Sequence, residues 1–589
     1  MLKRIERFVK THRIDLIFLT IFIGLLAFAY RRLLSDISGS LMDRYDFPYI
    51  VWVVNSNIQN ILHGNLAHYF DTRGFYPHPY GLLFSDILLP QSLLVLPIYL
   101  LTRNIILSFN SILLFTFVLN YCAAYLFWKY FTKNSFFAFL GAILTVFGPF
   151  YHIQMAHFQM QSYWLSLFSM YFLSRSLDEN NKKFALISGL LLGIQFTASV
   201  YHFVFFSVFS GIVVMVSFFT AEKKKHVVHM ALLKYILMAL VIFPFVKAYY
   251  AMKAYYGMSR DIEEIILYEA HMTDYLFTSA YKSAFYSFPE WARWNIFDKH
   301  VIGEKTVFPG FVLVGLSLLG FFSQVKSSTY FLVQFVMTRL SVIFGLLGVV
   351  GFIGSLGPRL SFNGAYAHIP TPYYAALKLF PLIDAIRSPA RWSVLLYVSM
   401  VYFSLMGLQK LYHYGRSRFT AGYMSFLALT VFLIICIEYL PVNLTVEKVP
   451  EVSTEYLTLQ KICSKEDKVV LEYPITHFTA SGGIVEGLSY ISRVQLAQVS
   501  HNCSLMNGYS GFIPSEVFKT ESDLNTLIGA GNEEGLQMYM EASNIDIIKL
   551  NQNNTLIELR PGFEKIKEAI QNDSDFMQLS PILFELRAK

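Results

Sequence analysis

The sequence predicts a membrane α-helical bundle followed by a smaller mixed domain, and three observations carry that expectation. Of the 589 residues, 55% are hydrophobic and 17% aromatic while 15% are charged, a balance far from that of soluble domains. Apolar runs near the length of a membrane span recur as far as about residue 440, with short Lys/Arg-rich loops between them. Beyond residue 442 the apolar density falls, and strand-like stretches such as "DKVVLEYPI" and "NIDIIKL" alternate with polar helical ones. The net charge of +7 comes largely from the short loops, so it reports topology and gives no sign of a nucleic-acid partner.

A span needs roughly 20 apolar residues to cross about 30 Å of hydrocarbon. Eleven segments qualify as candidates: 14–30, 105–128, 135–151, 157–174, 184–200, 202–220, 231–250, 308–323, 340–356, 392–409 and 421–440. The first follows the basic stretch "MLKRIERFVKTHR" and lacks a small-residue cleavage site, so it reads as a retained helix. The segment 87–101, "ILLPQSLLVLPIYLL", is short and carries Pro90 and Pro97. If it does not cross, the basic loops gather on one side, and the positive-inside rule makes that side cytoplasmic. It is therefore placed as a re-entrant or interfacial helix on the outer side. An odd number of spans then sends the tail outward. The expected organisation is a transmembrane domain over 1–441 with outer loops 31–104, 251–307 and 357–391, then an extracytoplasmic α/β or α+β domain over 442–589. This places the chain in the plasma membrane, with an inner N-terminus and membrane lipids as partners. Cys463 and Cys503 fall in the outer tail, where they either pair or remain free thiols.

The outer loops hold the residues able to do chemistry. Pro48 opens a predicted amphipathic helix over 48–62, with Val51, Val54, Ile58, Ile61 and Leu62 opposite Asn55, Gln59 and Asn60. Lying flat on the membrane, it would hold Asp43 and Asp46 at the water–lipid boundary, where carboxylates stay ionised. The plainer reading is that Asp46 only favours the helix start through its dipole. The same loop adds Asp71, Arg73, His78 and Asp86 among aromatics and prolines. The turn "YHIQMAHFQMQSYW" supplies His152, Gln154, His157, Gln159 and Gln161, suited to hydrogen bonds with headgroups or substrate hydroxyls. Histidines five residues apart share a helix face poorly, so no metal site is assigned there. In the second loop Asp261, Glu263, Glu264, Glu269 and Asp274 read mainly as a solvated helix face, whereas Glu304 stands close to the next span. The third loop ends in Arg387 and Arg391, whose planar guanidinium groups suit phosphate as well as headgroup anchoring.

These features together resemble the GT-C fold of membrane glycosyltransferases, which includes protein O-mannosyltransferases, the aminoarabinose transferases of lipid A and oligosaccharyltransferase catalytic subunits. The stretches "FYPHPYGLLFSDILL", "HIQMAHFQMQSYWLSL", "RSPARW" and "NGYSGFIP" are similar to those of bacterial and archaeal membrane proteins placed in that class. The resemblance implies transfer of a sugar from a polyprenyl-phosphate-linked donor to a glycan, lipid or protein acceptor on the outer side. It implies Asp46 as the base, with Asp43 as the substitute, and Arg387 and Arg391 on the phosphate. Glu304, His78, Asp86 and His157 would surround the sugar or acceptor. The acidic pair is "DRYD", without the adjacent acids that many members show. That leaves both the choice between Asp43 and Asp46 and any role of a divalent metal open. A flippase of lipid-linked sugars, doing no bond chemistry, is the competing class.

Overall fold

The computed structural model describes residues 12–258, 260–276, 282–287, 305, 307–326, 334–335, 338–362, 365–379, 383, 386–475, 484–551, 555–556 and 559–587. Glu304 lies outside the described residues. The chain divides into two compact units, and the division does not follow a single cut near residue 441. The first comprises Met1–Leu34, Leu113–Lys247 and Gly257–Leu444; the second comprises Ser35–Ile112, Ala248–Tyr256 and Thr445–Lys589. Most of the loop expected over 31–104 thus belongs with the C-terminal segment.

The first unit is built from apolar helices. Each of the eleven candidate segments contains a helix, but among the described residues only six helices are long and apolar enough to cross a membrane: Ile105–Thr132, Ser135–His152, Val200–Thr220, Lys224–Tyr256, Pro389–Arg416 and Ala421–Tyr439. Six of the eleven expected spans are met by helices of that length, and the other five hold shorter helices. Arg13–Ala29, Lys182–Ala198 and Arg339–Ser355 have 17 residues each, Trp164–Glu179 has 16 and Phe311–Phe322 has 12. At about 1.5 Å per residue even the longest of these covers only about 26 Å. The run 157–174 is cut by a break at Ser162 and Tyr163, between the short turn Phe158–Gln161 and the helix from Trp164.

Helix packing in this unit relies on small residues. A Cβ on Gly320 of Phe311–Phe322 would lie 1.7 Å from the carbonyl oxygen of Phe403, so only glycine admits the approach to Ser393–Arg416. The same short helix receives a cap from elsewhere in the chain. Phe311 and Val312 donate their amides to the Glu438 carboxylate at 2.6 and 2.8 Å, and Tyr286 donates its hydroxyl at 2.8 Å. A carboxylate there satisfies amides that the first helical turn leaves unpaired and opposes the dipole.

The second unit centres on a five-stranded sheet, ordered Ser504–Leu505, Val469–Tyr473, Ile547–Leu550, Leu583–Leu586 and Phe576–Ser580. The first three are mutually parallel; the last two are antiparallel. Every residue of Val469–Tyr473 is buried, as befits a strand covered on both faces. Its one charge, Glu472, stands opposite Lys549 in register and pairs with it at 2.9 Å. Tyr456 and Tyr490 donate hydroxyls to the same carboxylate, which completes its hydrogen bonding. Helix Thr454–Cys463 is tied to the start of Ser504–Leu505 by the disulfide Cys463–Cys503.

The predicted amphipathic helix is present as Asp46–Leu62, but it is not an interfacial helix with a wet polar face. It is buried along most of its length, Asn55 and Asn57 included. The asparagines anchor the loop that follows. Asn57 donates to Val53 O and Ile87 O, and Asn60 donates to Tyr69 O and Asp71 O. Trp52 donates its indole N–H to Gln498 Oε1 on helix Ile484–His501 at 2.9 Å. Of the stripe that the periodicity marks as water-facing, Asn55 is buried while Gln59 and Asn60 are half-buried, and Asn60 with Asn57 organises the chain between residues 63 and 88.

Candidate functional site

In the second unit, Asp43 and Asp46 stand together at the start of Asp46–Leu62 and do different things. Asp43 is a helix cap. Its Oδ1 accepts the amides of Tyr45 and Asp46 at 2.5 and 3.1 Å, and its Oδ2 accepts that of Phe47 at 3.1 Å. Burial first, then the neighbouring Asp46 carboxylate, push its pKa up to about 6 against the pull of those three amides. Asp46 stands in the first turn of the helix, where it opposes the dipole as Asp43 does, and its Oδ1 accepts the Tyr509 hydroxyl at 3.0 Å.

Tyr49, one turn along, links further groups to this helix end. Its hydroxyl shares a 2.8 Å hydrogen bond with Ser510, and its ring meets that of Tyr509 edge-on at 5.4 Å. Burial, with Asp86 and Asp46 nearby, raises its phenol to about 12. Asp43, Asp46 and Asp86 are thus brought into one neighbourhood around Tyr49. Seating the loop that carries Tyr509 requires glycine at 508, because a Cβ there would fall 2.3 Å from the Phe75 ring. Phe75 itself adopts a left-handed φ of 60°, costly for a bulky residue. The backbone holds it there: Phe75 N donates to Asn507 O, Tyr76 N to Leu505 O, and Leu505 N to Arg73 O. His78 lies in the same loop, half-buried beside Tyr256 at 6.3 Å between ring centres. Burial lowers its pKa, and Glu516 opposes that effect.

In the first unit, Arg387 and Arg391 are held by aromatic faces. Arg387 lies over the Tyr268 ring at 4.8 Å, and Arg391 over Tyr201 at 4.5 Å. The Tyr201 hydroxyl also accepts the backbone N–H of Arg387 at 3.2 Å. Arg391 is 4% exposed, whereas the Arg387 side chain is 29% exposed, with Glu264 at 4.0 Å. Glu264 pairs more closely with Arg260, at 2.9 Å. Two stacked guanidinium groups four residues apart can present planar donors to a phosphate.

The other expected residues fare differently. His157 is half-buried, and its carbonyl accepts from Met160 and Gln161 at the short turn it precedes. His152, Gln154 and Gln161 are buried. His152 Nε2 lies 2.8 Å from Tyr439 O, and Gln161 donates to Gln154 O at 2.7 Å. The acidic stretch is only in part a solvated face: Asp261 and Glu263 are exposed, but Glu269 and Asp274 are buried. Burial raises Glu269 to about 7, while Ser361 donates to its Oε1 at 2.5 Å. Among the described residues no group of three or more His, Cys, Asp or Glu is placed to hold a metal ion, and Asp43 already gives both oxygens to amides. No chemical step is routed through a metal.

Tyr509, Ser510, Tyr49, Tyr201 and Tyr268 are the contacts the sequence did not single out as site residues. "NGYSGFIP" is conspicuous as a loop, but its link to Asp46 spans 463 positions and leaves no local periodicity.

The fold is that of a polytopic membrane-helix protein, and comparison with solved structures supports the GT-C resemblance at that level. Arabinofuranosyltransferase AftD from Mycobacteria is similar over 98% of this chain at 9% identity, with a TM-score of 0.58; the match covers 40% of AftD, so this chain spans about two fifths of its length. The oligosaccharyltransferase of Archaeoglobus fulgidus gives 13% identity over 90% of this chain and 69% of its own, at a TM-score of 0.47. Residues 71–435 match the family described as a domain of unknown function, DUF6311, and the chain belongs to that family. No curated protein matches the sequence.

Proposed function

We propose that this protein is an integral membrane glycosyltransferase that moves a sugar from a polyprenyl-phosphate-linked donor to an acceptor nucleophile on the extracytoplasmic side. The observation that carries the reading is Asp46, a carboxylate at a helix start, held by a phenol from the far end of the chain. The fold shared with an arabinofuranosyltransferase supports the same class.

In this reading Asp46 removes the proton from an acceptor hydroxyl as its oxygen attacks the anomeric carbon, a contribution of about 10² to 10⁴ in rate. The bond to the lipid phosphate breaks, and Arg387 and Arg391 stabilise the charge that develops on the leaving group. Attack opposite the leaving group inverts the anomeric centre. A lipid-anchored donor keeps its chain in the bilayer and its phosphosugar at the surface, which suits residues in outer loops. Asp43 is assigned to the helix start, because both its oxygens are taken by amides. His78, Asp86, His157 and Glu304 are kept as candidates for contact with sugar or acceptor.

The test is release of polyprenyl phosphate by the purified full chain supplied with lipid-linked sugars. Acceptor-dependent release that disappears in Asp46→Asn is the expected result. Full activity in Asp46→Asn rejects the base assignment. Movement of the intact lipid-linked sugar across proteoliposomes without release assigns the protein to the transporters instead.

A further inference from the structure

Asp46 owes its setting to a segment that the proposed chemistry does not use. The loop after Ser504–Leu505 is pinned to the sheet: Met506 N donates to Val470 O at 3.0 Å, and the Asn507 side chain accepts from Glu472 N at 2.9 Å while donating to Glu472 O at 2.7 Å. Gly508 sits against the Phe75 ring, and Ser510 bonds the Tyr49 hydroxyl at 2.8 Å. With its ring edge-on to Tyr49, Tyr509 is fixed on both sides in sequence and on one face in space. Its hydroxyl donates to Asp46 Oδ1 at 3.0 Å. A phenol donating to a carboxylate makes a charge-assisted bond, which fixes the plane of the acid.

We propose that Tyr509 is a positioning residue for Asp46, fixing the orientation of the carboxylate for proton removal. The late loop thereby sets the reactivity of an acid placed early in the chain. The inference rests on Asp46 as the base, but its physical content can be tested separately.

The experiment is the transfer assay on the purified full chain, read as kcat and KM for the lipid donor, together with a structure of the variant. Tyr509→Phe, which keeps the ring against Tyr49, is expected to lower kcat about tenfold, the effect of losing one such bond, and to leave KM for the lipid donor unaltered. Parental kcat in Tyr509→Phe, or a raised KM with kcat unchanged, overturns the inference. The structure of Tyr509→Phe should show the Asp46 carboxylate turned from its parental orientation; the parental orientation there overturns the inference whether or not the parent chain transfers sugar. A parent chain that transfers nothing while the carboxylate turns in the variant rejects the proposed function and leaves the Tyr509–Asp46 contact standing.

Discussion

The carboxylates of the second unit and the arginines of the first are immobilised in opposite ways. Asp43 is bound by backbone amides and Asp46 by a phenol, so their positions are set by hydrogen bonds with defined directions. Arg387 and Arg391 rest on the faces of Tyr268 and Tyr201. A ring face holds a cation without prescribing where each N–H points. The difference matches what the two proposed roles demand. A base must meet one proton at one angle, whereas a phosphate cradle must follow a charge that shifts as a bond breaks.

The largest effect expected from this contrast is that of Asp46→Asn, which keeps the shape and loses the base. Transfer should fall by about 10² to 10⁴ with lipid-donor binding retained, as read from kcat beside donor affinity. Arg391→Lys keeps a charge but not the plane, and should cost about ten- to a hundredfold in kcat/KM for the lipid donor. A result near the parental value would mean that charge alone suffices. Tyr201→Leu removes the face beneath Arg391 and should cost roughly two- to thirtyfold, a cation–π contribution, seen in KM more than in kcat. If instead it matched Arg391→Lys, the ring would be more than a support.

Asp43→Asn should have the smallest effect on transfer, and its signature lies in pH-dependent stability. The folded pKa of Asp43 is raised from 3.8 to about 6, so its contribution is fully present below 3.8 and lost as pH rises to about 6. The parent chain should therefore lose thermal stability relative to Asp43→Asn over that interval. A difference in Tm that stays flat from pH 4 to 7 would show that Asp43 ionises as freely folded as unfolded.

The helices were legible because long apolar runs and basic loops follow directly from the bilayer as solvent. Strands within "DKVVLEYPI" and "NIDIIKL" were legible for a similar reason, since continuous β-branched and apolar runs mark strands buried on both faces. The role of Asn57 and Asn60 was not legible. A polar stripe on an amphipathic helix looks alike whether it faces water or a loop that satisfies it, and the loop is specified by other residues. Asp43 and Asp46 could be singled out as a pair but not told apart. Their difference depends on amide directions at a helix start and on a tyrosine brought in by tertiary folding. Arg387 and Arg391 were visible as a basic pair, while the rings beneath them were hidden among the many aromatics of an apolar chain.

The ladder of backbone bonds joining residues 73–76 to Leu505 and Asn507 has a practical consequence. Excising the C-terminal segment as a fragment would strip the short strand Ser504–Leu505 of its outer neighbour and leave unpaired donors and acceptors at a sheet margin, a template for self-association. A fragment intended for crystallisation or NMR should therefore carry residues 35–112 along with 445–589, or its behaviour will be that of an open margin rather than of the native unit.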